Sequence, residues 1–166
     1  MKNIDTHFKQ ERSRIYDRQR HDAYRTTKKH PDPTICPVCG SLYTGGRWTW
    51  DDLPEPDEAS RVTCPACRRT RDNYPAGLIE LQGTFFDTRR TEIMNMIHHI
   101  KDVELTEHPL ERFVNISEKK DKTIITTTGI HLARRIGDSL VRAYGGDLNY
   151  NYDDDDLIRV FWQCNL

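Results

Sequence analysis

Two short turns of identical spacing constrain this chain more than any other feature: Cys36-Pro37-Val38-Cys39-Gly40 and Cys64-Pro65-Ala66-Cys67. Each C-P-x-C turn aims two sulfurs at one point, and two such turns complete a tetrahedron, the arrangement of a zinc ribbon. A closed shell of four thiolates leaves no coordination position for water or substrate. One structural Zn2+ held by Cys36, Cys39, Cys64 and Cys67 is therefore expected, with a binding free energy that replaces part of a hydrophobic core. Iron is the alternative, because CPVCG followed by Leu42-Tyr43 is a rubredoxin-type knuckle and sulfur spacing does not separate the two metals.

Disulfides would compete only in an oxidising compartment. The first 30 residues contain no apolar signal stretch, and no apolar run reaches the roughly 18 residues of a membrane span, so a cytoplasmic protein without a membrane partner is expected.

Charge distribution is more informative than total charge. Lys+Arg 25 against Asp+Glu 26 gives −1, which removes any case from overall basicity. Hydrophobic residues make up 36% of the chain and charged ones 31%, so a core forms only if some of the chain stays outside it. Residues 1–33 fit that description. They carry Lys9, Arg12, Arg14, Arg18, Arg20, Arg25, Lys28 and Lys29 interleaved with Phe8, Tyr16 and Tyr24, and they end at His30-Pro31-Asp32-Pro33. A basic, flexible arm for nucleic acid contact is expected, with Pro31 and Pro33 disfavouring helix at its boundary.

Residues 34–74 read as the zinc ribbon, with the acidic stretch Asp51–Glu58 as an exposed loop. Arg68, Arg69 and Arg71 follow the last cysteine, and Arg47 and Arg61 lie on ribbon strands. A tetrathiolate zinc centre carries a formal charge of −2, and five guanidinium groups exceed what compensation requires. Trp48, Trp50 and Tyr74 then offer either flat surfaces for unpaired bases or packing of the ribbon onto its neighbour.

Residues 75–166 read as an α+β domain. Gly77–Thr84 is a strand, followed by a helix capped by Asp87 with Ile93, Met96, Ile97 and Ile100 on one face, ending before Pro109. Arg112–Ser117 and Lys122–Thr128 form a hairpin. A second helix from Gly129 to Tyr144, capped by Thr127 or Thr128, stops at Gly145-Gly146. Asp147–Tyr152 and Leu157–Gln163 form a last hairpin, with Asp153–Asp156 in its turn because like charges repel in a ladder. This order matches a ferredoxin-like split βαββαβ sheet with an added C-terminal strand. Arg134 and Arg135 give its second helix a basic face.

The stretches CPACRRTRDNYPAGLIELQG, HPLERF and TIITTTGIHLARRIGDSLVRAYGGDLNYNY, with the shorter words CPVCG and RWTW, cover residues 34–152. The chain resembles the Nmd-three family of large-ribosomal-subunit adaptors and looks like a short bacterial relative. That resemblance implies binding to ribosomal RNA or ribosomal proteins.

Catalytic patterns are not evident. His98 and His99 are adjacent and point about 100° apart, unlike the i, i+4 histidines of a metallohydrolase. His108 and His131 stand alone in sequence, and no nucleophile elbow or phosphate-binding loop occurs. Cys164 reads as a structural thiol. The expected function is non-enzymatic RNA binding on the ribosome, as a hibernation or assembly factor. A protein-interaction adaptor and a rubredoxin-like redox carrier are the alternatives.

Overall fold

The structure, a computed structural model, describes Tyr24 and residues 29–52, 56–153 and 157–166. The arm expected over 1–33 falls mostly outside the described residues, as do Leu53–Glu55 and Asp154–Asp156.

A small four-stranded sheet comes first, from β1 (Thr34–Ile35), β2 (Leu42–Thr44), β3 (Arg47–Thr49) and β4 (Ser60–Arg61), in the order β3-β2-β1-β4. Gly45 and Gly46, at φ +60° and +84°, close the two-residue β2–β3 hairpin in a backbone region that other residues rarely enter. The acidic stretch carries a 3-10 turn at Pro56–Glu58. After β4 the chain enters α1 (Pro65–Asp72), a helix that the sequence reading did not anticipate. Its start is nonetheless written locally. The Cys64 side chain caps it, Pro65 stands at the first turn where no N–H is needed, and Asn73 ends it in the left-handed region at φ 48°.

The larger sheet comprises β5 (Gly77–Gln82), β6 (Phe113–Glu118), β7 (Lys122–Thr127), β8 (Asp147–Tyr152) and β9 (Ile158–Gln163). Helices α2 (Thr84–Thr88), α3 (Arg90–Glu107) and α4 (Ile130–Tyr144) complete the α+β body. Ile93, Ile97 and Ile100 of α3 and Leu132, Ile136 and Leu140 of α4 meet Ile79, Leu81, Ile125, Ile158, Val160 and Trp162 in one core. Cys164 packs in the same core. Alternate residues of β5, β7 and β9 are buried, so both long helices cover one face and the opposite face is more polar.

The strand order is β6-β7-β5-β9-β8. The β5-α3-β6 unit with β7 inserted antiparallel matches the split βαβ half of the expected ferredoxin-like sheet. The other half departs from it. A ferredoxin-like sheet would set β8 antiparallel beside β5, with the extra strand outermost; here β9 lies beside β5 and runs parallel to it, leaving β8 at the edge. Composition explains the exchange. Ile158, Val160 and Trp162 of β9 have no exposed surface, whereas Asp147, Asn149 and Asn151 give β8 a face that tolerates solvent at an edge.

The start of α4 corrects a second expectation. Its cap residue is Gly129, with no side-chain cap bond from itself, and Thr128 instead hydrogen-bonds the Leu110 carbonyl at 2.6 Å. The carboxylate that accepts a first-turn N–H comes from outside the helix: Leu132 N donates to Glu111 Oε2 at 3.1 Å. A Cβ at Gly129 would overlap that carboxylate. Gly129→Ala should therefore lower stability by about 1–3 kcal/mol through overpacking. The check is a lower urea midpoint at unchanged slope; an unaltered midpoint would show that Glu111 does not hold this helix end.

Candidate metal centre and the groove beside it

The first cysteine turn is the β1–β2 connection. Cys36 N donates to the Ser41 carbonyl and Gly40 N to the Cys36 carbonyl, both at 2.9 Å, which folds Cys36 and Cys39 to the same side. The second turn is the start of α1, where Cys67 N donates to Cys64 Sγ at 3.4 Å. Cys64 N in turn donates to Cys36 Sγ at 3.2 Å and locks the two turns to each other.

All four ligand sulfurs lie within 4.8 Å of one another, and Cys39 Sγ and Cys64 Sγ are 3.8 Å apart. A tetrahedron with metal–sulfur bonds of about 2.3 Å has edges of about 3.8 Å, so these side chains can hold one metal ion. The cysteines come together as their spacing predicted, and Cys36, Cys64 and Cys67 are buried.

Sequence reasoning missed the residue that completes the site. Arg112, immediately before β6, reaches across from the larger domain. Its Nη2 donates to Cys64 Sγ at 3.1 Å and Cys39 Sγ at 3.4 Å, and its Nη1 to Cys67 Sγ at 3.3 Å. Its Nε donates to the Pro109 carbonyl at 2.7 Å, and its backbone N and O both engage Thr128. The guanidinium is thus fixed before it meets the sulfurs. Burial opposes its charge, but the neighbouring thiol groups outweigh burial and raise its pKa above the ordinary guanidinium value.

Ionisation in the metal-free cluster is uneven. Burial pushes the Cys39 thiol up, yet hydrogen bonds from Ser41 and the Arg112 charge outweigh it and lower the pKa to about 6. Burial, with the adjoining Cys64 thiol, raises Cys67 to about 12 despite the Arg112 donor. Cys64 is raised by burial and by the Cys39 charge. One thiolate beside retained protons is the charge state expected where four sulfurs crowd together without a cation, and a divalent ion expels the protons.

Beside the centre runs a groove of about 1050 Å3 between the small sheet and the helix ends of the larger body. One wall is the ribbon, with Arg47, Trp48 and Trp50, and Lys29 just ahead of it; the other is the end of α3, residues 108–111 and His131. Trp50 crosses between them, its indole N–H donating to the Leu105 carbonyl at 2.6 Å while 39% of the residue stays exposed. It both packs the ribbon onto the domain and keeps a surface open. Trp48 is half-buried against the cysteine cluster and meets Tyr43 edge-on, with ring centroids 5.5 Å apart.

The other expected RNA contacts are placed unevenly. Arg47 is exposed at the groove. Arg71 is exposed and pairs with Asp72 at 2.9 Å. Arg68 lies over the Tyr24 ring at 5.2 Å from its centroid. Arg69 is buried, donates to the Tyr74 carbonyl at 3.1 Å and lies 4.5 Å from the same Tyr24 centroid, so its guanidinium holds the module together internally. Arg135 is engaged by the buried Glu104 carboxylate. Arg134 lies over Tyr150 at 5.7 Å. Lys9, Arg12, Arg14, Arg18, Arg20, Arg25 and Lys28 lie outside the described residues. Among the histidines, His98 and His99 are exposed on α3 away from the cysteines, whereas His108 and His131 line the groove.

Arg112→Ala should lower metal affinity about 10–100-fold, the usual cost of losing a group that orients ligands. Competition with a chromophoric chelator measures it, and Arg112→Lys should recover little because an ammonium cannot span three sulfurs. A pH series tests the charge pattern. At pH 7 Cys39 is already ionised, while Cys64 and Cys67 lie above the ordinary 9.0 and keep their protons. Metal binding then releases at least those two protons, so the logarithm of affinity should fall by at least about two per pH unit on acidification, steepening below about 6 as Cys39 also protonates. Proton release measured by titration in weak buffer gives the count.

Among the described residues no helix is long and apolar enough to cross a membrane. No protein-family model, no curated protein and no solved structure matches this chain, so its function has to be argued from this geometry.

Proposed function

We propose that the protein is a non-enzymatic zinc-ribbon protein that binds RNA, and that its partner is the ribosome, reached through ribosomal RNA and neighbouring ribosomal proteins. The observation that carries this reading is the position of the ribbon. Arg112 and Trp50 hold it against the larger domain so that aromatic and cationic side chains line one groove beside a coordination shell closed to substrate. Zinc suits the tetrathiolate shell and needs no redox chemistry there. The cations of residues 1–33 would add phosphate contacts and salt-dependent affinity, while the folded body would fix position. A hibernation or assembly factor is the form of ribosome association that a basic arm on a compact body suits.

Sedimentation through sucrose gradients tests the proposal. The zinc-loaded chain should travel with ribosomes at low salt and be released as salt rises, with a steeper salt dependence for the full chain than for one lacking residues 1–30. Free protein at the top of the gradient for both would end the reading. Association that ignores ribonuclease and salt would favour a protein-interaction adaptor instead. Metal analysis should find about one zinc per chain, whereas a red iron protein would favour the rubredoxin-like carrier.

A further inference from the structure

The groove beside the metal centre continues into a second depression of about 480 Å3, and Glu104 and His131 line both. Both signs of charge line this path. Trp48 and Trp50 share the larger part with Lys29, Arg47, Asp51 and Glu107, and Arg134 and Arg142 line the smaller part with Asp138. Glu111 is buried and caps α4, and Glu104 is occupied by Arg135. Arg134 and Arg142 make no ion pair among the described residues.

A nucleotide strand with a free base carries two kinds of group: a flat neutral ring with N–H donors, and anionic phosphates. Asp51 and Glu107 can accept from base N–H groups, while Lys29 and Arg47 beside the tryptophans and Arg134 and Arg142 farther along attract phosphates. Trp50 is already oriented for stacking, because its indole N–H is engaged by the Leu105 carbonyl and its ring remains partly exposed.

We infer that the two depressions form one binding groove for single-stranded RNA, in which an unpaired base stacks on Trp50 and the adjoining phosphates lie along Arg134 and Arg142. This rests on the RNA-binding function proposed above and adds to it the strandedness of the ligand, the stacking residue and the path of the backbone. Duplex RNA keeps its bases stacked within the helix and offers none to the indole, so it should bind weakly here.

The experiment uses the full zinc-loaded chain with a short mixed-sequence single-stranded RNA and its blunt duplex. Affinity is read by anisotropy of labelled RNA and stacking by intrinsic tryptophan fluorescence. Single-stranded RNA should bind and quench; the duplex should bind at least about tenfold more weakly. Trp50→Ala should weaken single-strand binding about tenfold, the scale of one base–aromatic stack. Trp50→Phe should lose most of the quenching yet retain most of the affinity, which separates stacking from loss of the indole bond to Leu105. Arg134→Ala with Arg142→Ala should reduce the slope of log affinity against log salt by about 1.4, at an unchanged thermal midpoint. Single-strand binding without quenching, equal affinity for the duplex, or an affinity indifferent to Trp50→Ala and to the arginine pair overturns this groove while leaving RNA binding standing. Failure of the intact chain to bind any RNA overturns both.

Discussion

The Arg112 guanidinium, with the Trp50 indole beside it, joins the two halves of this protein. Four sulfurs in a closed shell carry a formal charge of −2 once a divalent ion is bound, and three of them are buried. Arg112 brings a positive charge to three of the four from another domain, held by Pro109 and Thr128 rather than by the ribbon itself. The contact binds both sides. Arg112 is half-buried, so removing one partner while the joint stays closed leaves the other partly desolvated and unpaired, at a cost that solvent screening holds below that of a fully buried pair. Three of the five ribbon arginines that seemed available for compensation are used elsewhere: Arg69 braces Tyr74, Arg71 pairs with Asp72 and Arg68 lies over Tyr24.

The larger sheet supplies the platform for this contact through strand placement. β9 beside β5 gives the core its two central strands in parallel, with α3 and α4 laid over them, and Gly137 lets α4 approach Val160 closely. The β6–β7 hairpin is then left on the flank, where the residues leading into β6 can reach the ribbon. Thr128, at the end of β7, secures that lead-in from the other side by accepting from Arg112 N and donating to the Leu110 carbonyl. The same few residues therefore end one strand, begin another and position the guanidinium.

Parts of this arrangement were legible in the sequence because local chemistry encodes them. The repeated C-P-x-C spacing anticipated the cluster, the period-3.6 pattern of Ile93, Ile97 and Ile100 anticipated α3, and Gly145-Gly146 marked the end of α4. Other parts depend on distance in the chain. Arg112 is 45 residues beyond Cys67 and has no local signature, since an arginine before a strand is ordinary until the fold brings sulfur to it. The exchange of β8 and β9 is a competition between two strands for one central position, and connection order alone does not decide it. α1 was missed for a different reason. Reading Cys64–Cys67 as a ligand turn hid the fact that a thiol can cap a helix, although Pro65 and Asn73 marked both of its ends.

The groove follows from the same joint. Its far wall includes residues 108–111, and Arg112 is anchored to Pro109 within that segment. Glu111, one residue before the guanidinium, caps α4 and so fixes the turn on which His131 lies. The near wall hangs on the cysteine cluster through Trp48, and Trp50 spans the gap to α3. A change at the sulfurs therefore reaches the groove by contiguous contacts: thiolate to Arg112, Arg112 to Pro109 on the far wall, and the cluster to Trp48 on the near wall. The cysteine cluster, through Arg112 and Trp48, thus sets the separation of the two walls of the groove.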